Sequence, residues 1–177
     1  MISIDCPDQQ RCDVQGSLVK VFLLKCAGLS HSTDNFLLYV REDVVTFWEK
    51  LEAQHKIFFI DGPPGIGKST AAWAWACYAG RTKPICWIHV TLKETMRWVD
   101  FKGDGKIDTL ASSKATDVAS VISRTKCSIL IVDGVTQGSK SVLGVASSWQ
   151  EQEQNRRVVF VSSEQVRYAS FRQSLII

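Results

Sequence analysis

One stretch of this sequence points directly at a chemistry through its residue types and spacing: Gly62-Pro63-Pro64-Gly65-Ile66-Gly67-Lys68-Ser69. It fits G-x-x-x-x-G-K-[ST] at every position. In that pattern the glycines let the backbone turn tightly, so that successive N–H groups face phosphate oxygens. Lys68 supplies a point charge for the β- and γ-phosphates of a nucleotide, and the Ser69 hydroxyl is a natural Mg²⁺ ligand. The candidate nucleotide-binding set is Gly62 to Ser69 with Thr70 beside it, and the Lys68 ammonium is expected to face solvent. The bland alternative is a Gly/Pro turn that matches by chance. Its flanks argue against this, because the apolar run Ile57–Ile60 precedes it and the Ala-rich stretch STAAWAWACYA follows. A strand leading through such a loop into a helix also aims the helix's positive end at the phosphates.

A nucleotide site needs an acid on a second strand. Ser128–Asp133 (SILIVD) places one after a buried apolar run, so Asp133 is expected at the strand's carboxyl end, where open α/β sheets bind ligands. Its expected role is to hold Mg²⁺ together with Ser69. Asp133-Gly134 is also ordinary turn chemistry. The next residue is informative: Gly134 stands where many ATPases carry a second acid that polarises the attacking water. Binding is therefore better supported than hydrolysis, with Gln137 an alternative group for orienting water. A third strand, Val158–Val161, ends in Ser162-Ser163. Ser162 or Ser163 could sense the γ-phosphate, and Ser163 could equally be a helix N-cap. Lys68, Asp133 and Ser162 are the candidate catalytic residues.

These residues need a scaffold that brings strand ends together. Short apolar runs at 57–60, 85–90, 128–132 and 158–161 alternate with helical patterns at 43–54, 68–79, 116–124 and 139–154. That alternation predicts an α/β fold with a mostly parallel sheet and helices on both faces. In the first helix, Val44, Phe47, Trp48 and Leu51 recur at i, i+3, i+4, i+7, with Asp43 as the expected N-cap. Gly103-Asp104-Gly105 between two short runs predicts a small β-hairpin insertion near 97–110. Residues 164–177 are expected to begin another helix. Residues 1–35 form a poorly defined segment in which Leu18–Leu24 reads as a strand or a displaced fragment of core, and 36–177 form the domain.

At 177 residues, 45% of them apolar and 22% charged, the chain has ordinary globular composition and can bury one core. The net charge of +3 is too small to imply nucleic acid or an anionic membrane. No apolar run approaches the ~18 residues of a membrane span, and no apolar signal-peptide core opens the chain, so an intracellular location is expected. The six cysteines show no C-x-x-C and read as reduced thiols; Cys6, Cys12 and Cys26 with His31 match no common zinc spacing. The tryptophans at 48, 73, 75 and 87 read as core, and Lys102 and Lys106 as solvated surface.

The stretches FLLYVR (Phe36–Arg41), FFIDGPPGIGKST, AWAWA, WIHV, ILIVDG and VVFVSSEQ resemble the P-loop NTPase module of crinkler-type effector proteins, related to retrotransposon-hot-spot proteins. The likeness spans roughly residues 36–170. It implies an ATP-binding module with Mg²⁺ that precedes a C-terminal effector domain and acts inside a host cell, often in the nucleus, on a host partner. It also implies that Arg41 lies near the nucleotide. The family continues into a lid and an effector domain after VSSEQ, so this likeness implies a chain cut short at its C-terminus. Two other functions stay open. A small-molecule or nucleotide kinase would need a lid drawn from Arg156, Arg157, Arg167 and Arg172. The other is an ATP-binding interaction module without turnover.

Overall fold

The computed structural model describes residues 9–14, 17–25, 29, 35–39, 42–52, 56–91, 95–114, 117–162 and 174–176. Strands β1 (Gln9–Val14), β2 (Ser17–Lys25) and β3 (Asn35–Tyr39) form a three-stranded antiparallel sheet in that order. Helix α1 (Glu42–Glu52) follows. Then come β4 (Ile57–Asp61), α2 (Lys68–Ala79), β5 (Pro84–Val90), β6 (Thr95–Lys102) and β7 (Ile107–Lys114). The chain continues through α3 (Val118–Arg124), β8 (Ile129–Val135), α4 (Lys140–Glu151), β9 (Arg157–Ser162) and β10 (Ser174–Ile176). The chain is therefore α/β, with a main sheet ordered β10-β4-β9-β8-β5-β6-β7. Its first five strands run parallel, and β6 and β7 add antiparallel to β5.

Alternation along each buried strand divides the core in two. Phe58, Ile60, Ile85, Trp87, Ile129, Ile131, Val159 and Val161 point to one face, where α1 and α2 cover them. Phe59, Cys86, Ile88, Leu130, Val132, Val158 and Phe160 point to the other, under α3 and α4. Strands covered on both faces read as continuous apolar runs, and for that reason they stand out in the sequence. Trp73 and Trp87 meet edge to face with ring centroids 5.2 Å apart, and Trp73, Trp75 and Trp87 are buried as expected. Trp48 is half-buried, donates its indole N–H to the Ala71 carbonyl at 3.0 Å and stacks on Tyr78.

Several expectations shift in detail. Helix α1 begins at Glu42, so Asp43 lies inside its first turn and is not the N-cap. The hairpin expected near 97–110 runs from 95 to 114 and is no appendage, since β6 pairs with β5 along all seven residues of β5 and widens the main sheet. Ser174–Ile176, expected as part of a helix, is a strand beside β4. A short apolar run there pairs backbone groups that β4 would otherwise expose at a sheet edge. Strand β3 pairs with β2, so pairing crosses the expected boundary at 35/36. Lys102 pairs with Asp100 and Asp108 and Lys106 with Asp104, so both lysines have acidic neighbours on their own hairpin. Among the described residues no helix is long and apolar enough to cross a membrane.

Candidate phosphate and metal site

Because β4, β9, β8 and β5 are parallel, their carboxyl ends lie along one edge of the sheet. The glycine loop leaves β4 at that edge and enters α2 at Lys68. Gly65 and Gly67 hold φ of 84° and 90°, a left-handed backbone that disfavours side chains. A Cβ built at either meets nothing within 4 Å, so both positions face open space along the loop. The helix begins cleanly from the second of them, with Ala71 N–H donating to the Gly67 carbonyl at 2.8 Å.

Lys68 does not face solvent. It is only 6% exposed, and its ammonium donates to the carbonyls of Gly62 at 2.8 Å and Pro63 at 2.6 Å. An ammonium takes the strongest acceptors in reach, and the tight turn of the loop delivers two. Burial lowers the lysine's pKa, opposed by the nearby charges of Asp133 and Asp61. The ammonium is thus held at the base of the loop in a setting that rewards any further negative charge.

Asp133 lies near the end of β8 and is 1% exposed. Its Oδ1 accepts the Ser69 hydroxyl at 2.7 Å, closing a contact across 64 residues of chain. Its Oδ2 lies 2.7 Å from His89 Nδ1 on β5. The predicted pair of Ser69 and Asp133 is therefore brought together. The two supply a hydroxyl and a carboxylate oxygen, hard donors of the kind Mg²⁺ takes when most of its shell is water and phosphate, and the donor set fits that ion.

Gly134 holds φ of 81°, and a Cβ there would stand 2.1 Å from the Val90 carbonyl oxygen. The β8–β9 register shifts between Asp133 and Val135, so Gly134 occupies a bulge pressed against β5. No side chain, an acid included, fits at this position in this backbone.

Ser162 ends β9, the strand between β4 and β8, so it stands at the same edge as the loop and Asp133. It is 1% exposed, and its hydroxyl donates to the Val135 carbonyl at 2.7 Å. Arg41, Ser163 and Arg167 lie outside the described residues, as do Cys6, Cys26 and His31. Gln137 is exposed on the turn before α4.

Two residues of the site carry no recognised signal in the sequence. His89 looks like one polar residue in an apolar strand, and only the pairing of β5 with β8 places it opposite Asp133. Asp61 directly precedes the loop, is buried, and its Oδ1 has no hydrogen-bond partner. Burial raises its pKa, opposed by Lys68. A concavity of about 640 Å³ between α3 and α4 includes none of these residues. No protein-family model matches the chain, and no curated protein matches it.

Proposed function

We propose that this chain is a nucleotide-binding module of the P-loop NTPase type that takes ATP with Mg²⁺. The observation that carries the reading is the 2.7 Å contact between Ser69 Oγ and Asp133 Oδ1, beside a lysine held by its own glycine loop. In this reading the loop from Gly62 to Ser69 surrounds the phosphates, with the backbone N–H groups of Gly65 to Ser69 as donors (Pro63 and Pro64 have none) and Thr70 in the first turn of α2. Lys68 exchanges its two carbonyl acceptors for phosphate oxygens, a gain because a charge-assisted bond to an anion is roughly twice as strong as one to a neutral group. Ser69 and Asp133 would hold Mg²⁺, which when bound neutralises charge on the β- and γ-phosphate oxygens. In the same reading Ser162, at the end of the strand between those of the loop and Asp133, would register the terminal phosphate on exchanging its bond to Val135.

Two observations bear on the fate of bound ATP. The bulge at Gly134 leaves no room for a water-polarising acid, which favours an ATP-dependent binding or switching role with slow hydrolysis. Of the arginines a kinase lid would draw on, Arg167 and Arg172 lie outside the described residues, and the other two are engaged elsewhere. Arg157 opens β9 at the opposite edge of the sheet and donates to the Leu51 and Glu52 carbonyls. Arg156 stacks over Trp149 and pairs with Glu153. As part of the same proposal, the crinkler-type resemblance makes the module the regulatory part of an effector acting in a host cell, with a further domain or a host protein as its target.

Equilibrium binding of ATP to the wild-type protein and to Asp133→Asn, each in Mg²⁺ and in EDTA, tests the reading. The expected result is saturable binding that Mg²⁺ strengthens, with the Mg²⁺ gain lost in Asp133→Asn. Absence of binding, or an equal loss in both media, would refute the assigned roles.

A further inference from the structure

His89 is the sixth residue of β5 and lies in register with Asp133 across the parallel β5–β8 pair. Its Nδ1 is 2.7 Å from Asp133 Oδ2, and Ser69 occupies Oδ1 at the same distance. A carboxylate in its ionised form only accepts, so the bond to it requires the tautomer that carries its proton on Nδ1. Both oxygens of Asp133 are thus fixed from two elements, α2 and β5. That matters because the terminal torsion of an aspartate is broad and roughly two-fold, and an unrestrained carboxylate presents either oxygen in a range of directions.

The backbone enforces this contact. Gly134 packs against the carbonyl of Val90, the residue after His89, with no room for a Cβ. The bulge of β8 and the end of β5 are locked together at the point where imidazole meets carboxylate. A side chain at 134 would drive β5 away and draw His89 from Asp133. The missing acid and the histidine are two consequences of one close approach.

We propose that His89 is a positioning residue of the metal site, whose Nδ1–H holds Asp133 Oδ2 so that Oδ1 stays aimed at Ser69 and at the cation the two would share. The inference rests on the nucleotide-binding reading. Partners that orient a metal ligand typically matter by 10–100-fold in metal affinity when removed.

The test is calorimetry of ATP binding in Mg²⁺ and in EDTA, with thermal melts to verify folding. His89→Ala is expected to reduce the Mg²⁺-dependent gain in ATP affinity by about tenfold and to leave affinity in EDTA unchanged. His89→Asn keeps an amide donor where Nδ1 was and is expected to retain most of the gain. His89→Gln places its donor nearer the Nε2 position and is expected to behave as alanine does. If His89→Ala does not fold, the Asn and Gln pair decides. An unchanged Mg²⁺ gain in His89→Ala, equal losses in both media, or rescue by Gln and not Asn would overturn the proposal. If Asp133→Asn loses the gain and His89→Ala keeps it, this inference alone fails. A wild-type protein that binds no ATP overturns the parent reading and this one with it.

Discussion

Replacing Gly134 with alanine should damage the fold far more than the same change at Gly67, although both glycines have positive φ. Gly67, at φ 90°, has nothing within 4 Å of a built Cβ, so Gly67→Ala meets only the left-handed backbone, about 1–2 kcal/mol. Gly134, at φ 81°, carries that cost and also places a Cβ 2.1 Å from Val90 O. Overpacking a close-packed site costs about 1–3 kcal/mol, and an obstruction made of strand backbone belongs at the upper end. Gly134→Ala should therefore lose about 4 kcal/mol, a large share of the roughly 5–15 kcal/mol that holds a domain together. At about 2–4 °C per kcal/mol for a chain of this length, the melting temperature should fall by about 12 °C, against about 4 °C for Gly67→Ala. Urea unfolding followed by tryptophan fluorescence measures both. The functional effects should differ in kind: Gly67→Ala fills the loop and weakens ATP binding in Mg²⁺ and in EDTA alike, while folded Gly134→Ala keeps a free cradle and loses only part of the Mg²⁺-dependent gain, as His89 is drawn from Asp133. Equal destabilisation by the two substitutions would refute the steric account of Gly134.

Asp61→Asn should stabilise the protein at neutral pH. Burial raises the Asp61 pKa above its ordinary 3.8, so the folded state holds this proton more tightly, and its stabilising effect is lost as pH rises from the ordinary carboxylate range through the raised value. The variant should melt higher than wild type at pH 7, and the gap should close as pH falls toward 4; a constant gap in thermal scans would contradict this. Cys77, Cys86 and Cys127 are buried thiols, and burial pushes the Cys86 thiol up, so a thiol reagent should find all three only after denaturation without reductant. Rapid labelling of any of them in the native protein would contradict the packing described. Hydrolysis by the isolated chain should stay below about one turnover per minute, because no acid stands at 134 and an arginine supplied from elsewhere is worth about 10³–10⁵ in rate. Single-turnover release of labelled phosphate at several per second, lost on Lys68→Ala, would show a complete catalytic set.

The parts of the fold that are legible in the sequence are those set by local pattern. STAAWAWACYA between Lys68 and Gly80 predicts the limits of α2 as observed, because Gly67 and Gly80 mark both ends. The buried strands stand out because they are covered on both faces. Pairing is less legible. His89 and Asp133 are 44 residues apart, and neither residue's surroundings in the chain point to the other. The turn of Lys68 onto Gly62 and Pro63 is also hidden, because loop carbonyl directions depend on the positive φ values at Gly65 and Gly67. SLII reads as helix because an apolar run of three carries no periodicity, and the open edge of β4 decides its state. In the sequence Gly134 shows only as the loss of an acid; its steric need becomes visible only with β5 beside it.

The central claim is that Lys68, Ser69 and Asp133 form one nucleotide site, and calorimetry with ATP and Mg²⁺ on wild type and Lys68→Ala tests it most directly. Lys68→Ala should stay folded, since burial disfavours this ammonium's charge and the two carbonyls it leaves belong to a half-buried Gly62 and an exposed Pro63. The account predicts saturable heat of binding with wild type and none with the folded variant. Unchanged affinity in Lys68→Ala would contradict it.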